Sequence, residues 1–175
     1  MSRGIYSPRC AWLIAPAIAL VACAAQVSTD GPLRAGGDAS EVCTVQPDQG
    51  SAVFGNVVAN DSDEPLTITG ASLVGAINLA IEDVHVMPID ETHSFIMGTG
   101  STHPTVPDAI AAWDSAEQLN NHELGAGQEM NIVLAVVNGT SATGTSRAVR
   151  FEYEQGARKF TAETNMALEL ADDDC

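Results

Sequence analysis

A chain of 175 residues carries 23 acidic side chains against seven basic ones, for a formal charge of −16. Such a surface repels phosphate backbones and anionic headgroups, which argues against nucleic acid as a partner and against electrostatic docking on a membrane. The length suits one small domain with short appendages, and a core large enough to fold without a structural metal.

The basic residues are unevenly placed. Arg3 and Arg9 stand in the first nine residues, which hold no acid, and the uncharged apolar stretch Cys10–Val21 follows. A basic start and a short apolar run ending at small residues is the layout of a secretory signal. The run falls short of the roughly 20 residues that span a bilayer. It closes on Leu20-Val21-Ala22-Cys23.

That tetrapeptide resembles the lipobox of bacterial lipoproteins. The resemblance implies a signal peptide over residues 1–22, cleavage after Ala22, and diacylglycerol transfer to the Cys23 sulfur as a thioether. It places the mature chain on the extracytoplasmic face of the cell membrane. Two or three acyl chains, palmitate among them, attach stably where one holds only marginally. Cleavage removes Arg3 and Arg9 and no acid, so the formal charge moves from −16 to −18.

Four cysteines are present. Cys10 leaves with the leader and Cys23 is consumed by lipid, so Cys43 and Cys175 remain as a pair in an oxidising compartment. A Cys43–Cys175 disulfide is the simplest prediction. Closing so long a loop is worth roughly 4–5 kcal/mol in the loop-entropy picture.

Residues 24–42 are rich in Ala, Gly, Ser and Asp, without helical or strand period, and read as a flexible tether. With Cys23 they form a segment 23–42 ahead of a folded domain over 43–175. A chain of that length has a reach of roughly 25 Å. Ala52–Ala59 is a short apolar run, ended by the turn cluster Asn60-Asp61-Ser62-Asp63-Glu64-Pro65. Leu66–Leu73 follows with period two. Ile77, Leu79 and Ile81 alternate, and then Val84 and Val86 continue on the other parity, which predicts a β-bulge near Glu82-Asp83.

Residues 88–127 are irregular. Ser94–Met97 is a candidate short strand. Asp108–Leu119 is a candidate helix, capped by Asp108, with Ile110, Trp113 and Ala116 on one face. Met130–Val137 is apolar on both parities, as in a central strand buried on both faces. Val149, Phe151 and Tyr153 face one way, and Arg150, Glu152 and Glu154 the other. Gln155-Gly156-Ala157-Arg158 is a hairpin turn. Phe160, Ala162, Met166, Leu168 and Leu170 then keep period two. Six or seven short strands without a long helix predict an all-β, antiparallel β-sandwich, immunoglobulin-like in architecture, with one long irregular loop holding a short helix. The Cys…Trp…Cys signature of immunoglobulin domains is absent.

The chemistry-bearing residues concentrate in one segment: His85-x-Met87, His93, Met97 and His103. Thioether sulfur and imidazole together suit copper, above all Cu(I), because soft ligands match a soft ion. An H-x-M pair on a strand followed by a Met resembles the periplasmic copper chaperones with a cupredoxin-like β-sandwich. His85, Met87 and Met97 correspond, and that family's second H-x-M pair is missing. The cluster as a whole offers His85, Met87, Met97 and His103 as the ligands of a metal site.

Two acidic runs, Asp61/Asp63/Glu64 and Asp172–Asp174, offer hard oxygens for calcium without EF-hand spacing. No G-x-S-x-G, S-x-x-K or H-E-x-x-H motif occurs, and Asp90 with His93 is a pair close in sequence only. The sequence therefore predicts a non-catalytic, lipid-anchored binding or interaction protein that needs no cofactor. Its contacts would be the membrane through the lipid and a protein through its loops, with Trp113 and Ile110 as anchors. Metal handling through the His/Met cluster is the alternative.

Overall fold

The computed structural model describes residues 27–89, 96–140 and 142–175. The elements in chain order are β1 (Val27–Ser28), β2 (Leu33–Ala35), β3 (Ser40–Val45), β4 (Ala52–Asn60), β5 (Leu66–Val74), β6 (Leu79–Pro88) and β7 (Thr99–Ser101). They continue with α1 (Pro107–Asp114), β8 (Glu117–Gln118), β9 (His122–Leu124), β10 (Glu129–Asn138), β11 (Gly144–Ser146), β12 (Ala148–Gln155), β13 (Arg158–Glu163) and β14 (Met166–Ala171). The fold is an all-β sandwich of mainly antiparallel sheets, immunoglobulin-like in its two packed layers.

One layer runs β2-β4-β10-β6-β8, with β7 also on β4. The other is built from β1-β13-β12-β5-β9 and from β11-β14-β3. These two pieces are joined by one bent hairpin, in which β11 and β12 run against β14 and β13. Its pairing steps from Arg150↔Glu163 to Ser146↔Leu168, so the second strand holds one extra residue. The break falls at buried Thr164. Its amide donates to the Val149 carbonyl at 2.8 Å, and its Oγ1 accepts from the Val149 amide at 3.0 Å. A side-chain oxygen thus replaces a ladder carbonyl, so the period-two pattern over 160–170 covers two strands rather than one.

The alternating residues of both layers meet in one core: Phe54, Val58, Val86, Ile132 and Leu134 from one side, and Leu66, Ile68, Phe151, Phe160 and Leu168 from the other. Burying large apolar side chains at about 1.5–3 kcal/mol each supplies the main favourable term. The β12–β13 hairpin turns at Gly156, whose φ of 60° suits the first turn position of a type II′ hairpin. On β6, Ala135 pairs with Asp83 and Val136 with Ile81, leaving Glu82 as the extra residue where a bulge was expected. Glu82 instead bonds the hydroxyl of buried Ser51.

Three expectations need correction. The segment 24–42 is not a flexible tether where it is described. Val27–Ser28 pairs in parallel with β13, Leu33–Ala35 pairs with β4, and Ser40–Val45 runs parallel to β14. Leu33 is buried in the core, and its amide donates to the Tyr153 hydroxyl at 3.3 Å. Gly31 is required by packing, since a Cβ there would lie 2.0 Å from Tyr153 Oη.

The helix is also shorter than expected. It starts from Val106, without a side-chain cap, on Pro107, and Asp108 lies in its first turn. A carboxylate there still favours the helix dipole. The chain leaves the helix at Ser115 and pairs as β8 with β6. Ile96 and Met97 are not strand residues, while Thr99–Ser101 is. Ser94 and Phe95 lie outside the described residues.

Candidate functional site

The bulge at Glu82 decides which side chains leave the core. Leu79 and Ile81 point inward, and without an extra residue the alternation would send Asp83, His85 and Met87 inward as well. With it, Val84 and Val86 take the inner positions and Asp83, His85 and Met87 line the outer face of the layer. The same face carries Val53 of β4 and Val133 of β10, and around these and Met87 it is covered rather than wet, while Asp83 stays partly exposed. Val53, Met87, Met97 and Val133 form a second small core, against which Ala109, Ala112, Trp113 and Ala116 pack.

Met87 and Met97 are 3% and 4% exposed. The 97–98 segment is clamped onto the sheet by its backbone. Gly55 donates to the Gly98 carbonyl, and Asn131 Nδ2 donates to the Met97 carbonyl at 3.1 Å. Any Cβ at position 55 would lie 1.6 Å from that Met97 oxygen, so only glycine fits.

His85 sits beside this second core. Its Nε2 lies 3.2 Å from Asp83 Oδ2, and its ring centroid is 4.7 Å from that of Trp113, at an interplanar angle of 52°. Asp83 is held in turn: Oδ1 accepts from the Val84 amide at 2.9 Å and Oδ2 from Gln118 Nε2 at 2.9 Å. His85 Nδ1 is buried and has no hydrogen-bond partner among the described residues.

Of the four residues expected at a metal site, the fold thus brings Met87 and Met97 into one enclosed patch, with His85 at its side through Trp113. His103 is elsewhere. It stands beyond β7, where its amide donates to Ser101 Oγ at 3.1 Å, and it lines an open groove with Thr44, Val45, Pro104 and Val106. Asp90 and His93 lie outside the described residues, as do Cys23 and the leader. Sequence reading missed Asp83 and the Trp113 contact. The parity switch at Glu82 was the signal that Asp83 shares a face with His85.

The other expected features resolve as structure. Cys43 and Cys175 form a disulfide across 132 residues. The Asn60–Glu64 turn is organised by buried Asn60. Its Nδ2 donates toward the Glu64 and Leu124 carbonyls at 2.9 and 3.1 Å, and its Oδ1 accepts from the Ser62 amide and hydroxyl. Asp61 pairs with Arg34 at 3.1 Å. Among the described residues, no three His, Cys, Asp or Glu side chains assemble as a metal-binding group. Trp113 packs inward on the second core, leaving Ile110, 40% exposed, without it at the surface. No helix of the described residues is long and apolar enough to cross a membrane.

Neither protein-family models nor curated proteins match the chain. Among solved structures it is similar to the VesB protease of Vibrio cholerae, at 10% identity and a TM-score of 0.40, over 80% of this chain and 32% of that one. It is similar to the PapD-like domain 7 of human CEP192, at 9% identity and a TM-score of 0.38, over 93% and 99% of the two chains. It is also similar to the E. coli adhesin CfaE, at 8% identity and a TM-score of 0.38, over 83% and 49%. The chain therefore spans about a third of the protease and half of the adhesin. Likeness at this level carries no functional argument.

Proposed function

We propose that the chain is a lipid-anchored extracytoplasmic interaction protein without catalytic activity. The observation that carries this reading is Leu20-Val21-Ala22-Cys23 closing a basic and then apolar leader, only four residues ahead of β1. The Cys43–Cys175 disulfide supports it, because such bonds persist in oxidising compartments outside the cytoplasm. A rigid sandwich that presents loops at its ends is a usual scaffold for binding. His85 is oriented by Asp83 as a catalytic base would be, but among the described residues its other nitrogen meets no hydroxyl or thiol.

The test is fractionation of cells making the wild-type protein or Cys23→Ser, followed by protease treatment of intact spheroplasts. The wild-type protein should sediment with membranes and be digested from outside, and Cys23→Ser should be lost from the membrane fraction. Equal membrane recovery of Cys23→Ser, or full protection from external protease, would contradict the reading.

A further inference from the structure

We propose that the open edge of β3 is a docking groove for an extended, basic segment of a partner protein, which adds a strand to the sheet there. The proposal rests on the interaction reading above and names the surface that serves it.

β3 is bonded on one side. It runs parallel to β14, and among the described residues it pairs with no other strand. The ends of that ladder fix its phase. The Ser40 amide donates to the Asn165 carbonyl at 3.1 Å, and the Gln46 amide to the Ala171 carbonyl at 2.9 Å. With an unbroken register between them, Ser40, Val42 and Thr44 turn their backbone groups to β14. Glu41, Cys43 and Val45 therefore aim theirs the other way, at the open edge. Such an edge is a template for another strand, and proteins usually blunt it with lysine, proline or a bulge. Ser40–Val45 holds no lysine or proline, and its register has no bulge.

Space for a strand lies along this edge. An open groove of about 740 Å³ stands at Thr44 and Val45, with Ser101 beyond β4 opposite. A smaller one of about 340 Å³ stands at Ser40, with Gly55, Asn56 and Val57 of β4 opposite. β4 is itself unfinished there. On that side it pairs with β7 over Ala52–Phe54 and with β2 over Val58–Asn60, and no strand of the described residues pairs with 55–57 between them. Asn56 is a second sign of a missing partner. It is 5% exposed and lines the smaller groove. Its Nδ2 finds the Phe54 carbonyl at 3.5 Å, beyond the usual range of such a bond. A peptide carbonyl in the groove would complete it.

Charge chooses the occupant. The larger groove is lined by Asp48 and by no lysine or arginine, and Arg34 at the smaller one is held by Asp61 at 3.1 Å. Glu41 is exposed on β3. Asp172–Asp174 are kept beside β3, because Ala171 pairs with Val45 while Cys175 is bonded to Cys43. These carboxylates attract lysine and arginine, and a chain of formal charge −16 repels a second copy of itself. Exposed Val45 and Val106, with Ala109, receive apolar side chains set between the basic ones.

The test uses the full chain in a non-ionic detergent, with Cys10→Ser and Cys23→Ser so that the Cys43–Cys175 pair meets no competing thiol. The probe is a dye-labelled peptide of about ten residues that alternates arginine with valine. It should bind saturably at one equivalent and slow amide hydrogen exchange over residues 40–46. The same peptide N-methylated throughout keeps its charges and loses its backbone donors, and should bind about tenfold more weakly or worse. Val45→Pro removes an outward N–H that β14 does not use, so its melting temperature should stay near the parent's while peptide binding weakens about tenfold. Asp48→Asn should weaken binding by about two- to threefold and flatten its salt dependence. Absence of saturable binding, exchange protection that spares β3, or equal binding of the N-methylated peptide or of a glutamate–valine peptide would overturn the proposal. Full binding by folded Val45→Pro would do the same. So would a dimer of the chain alone that Val45→Pro disperses, because the edge would then belong to a second copy. This background carries no lipid, so failure here leaves the anchoring reading to its own test.

Discussion

Tyr153 shows how single residues couple the N-terminal segment to the core. Its ring stacks with Phe160 at 5.3 Å between centroids, and its hydroxyl accepts the Leu33 amide hydrogen. Burial pushes its ionisation above the ordinary value of 10.0, outweighing the Leu33 amide, which favours the phenolate. The sign follows from linkage. The unfolded chain ionises first, so this contribution is complete below about pH 10 and is lost as pH rises through the higher folded value. Exposed Lys159, held upward by Glu154, acts in the same direction and weakly. Melting temperature followed from pH 8 upward should therefore fall steeply beyond pH 10. Tyr153→Phe should flatten that fall and, by orphaning the Leu33 amide, cost roughly 1–3 kcal/mol at neutral pH. An unchanged alkaline slope would show that the phenol is not the group responsible.

The longer strands were legible in the sequence and the N-terminal ones were not. The eight residues Val53, Ile68, Leu79, Ile132, Leu134, Phe151, Phe160 and Leu168 carry period two or a continuous apolar run, and all eight are buried. Val53 serves the second core rather than the first, a distinction alternation alone does not make. Residues 27–45 pair through backbone in strands of two, three and six residues; the first two are too short to display a period, and Ser40–Val45 does not alternate apolar with polar residues. Their glycines imitate a linker, although Gly31 is there for close packing against Tyr153. For the site, the parity switch at Glu82 was visible, whereas the cover by α1 depends on contacts between segments far apart in sequence. Because β2 belongs to the core, Leu33→Ala should lower stability by about 2–5 kcal/mol in a urea titration. A flexible tether would leave the midpoint where it was.

For the whole molecule, the early start of the fold would change how a chain anchored at Cys23 stands on the membrane. With the lipid on Cys23, only Ala24, Ala25 and Gln26 precede β1, a span of about 10–12 Å when extended. The anchored domain would then lie against the bilayer instead of standing off at the reach of a long tether. The chain's one lysine, Lys159, pairs with Val27 at that end. A dye on Lys159, read against Lys159→Arg as a blank, should transfer energy efficiently to a headgroup dye. Inserting a Gly/Ser spacer of about 20 residues after Gln26 should reduce that transfer, since such a spacer reaches roughly 25 Å. Equal transfer with and without the spacer would refute a close stance.

All of this depends on the modification of one sulfur, which mass spectrometry reads directly. Trypsin cuts after Arg34, so the N-terminal peptide of the mature chain from the membrane fraction should run from Cys23 to Arg34 and carry the mass of a diacylglyceryl thioether, with or without a further acyl chain on its amine. A peptide that begins upstream of Cys23, or one that begins at Cys23 with an unmodified thiol, would contradict the account.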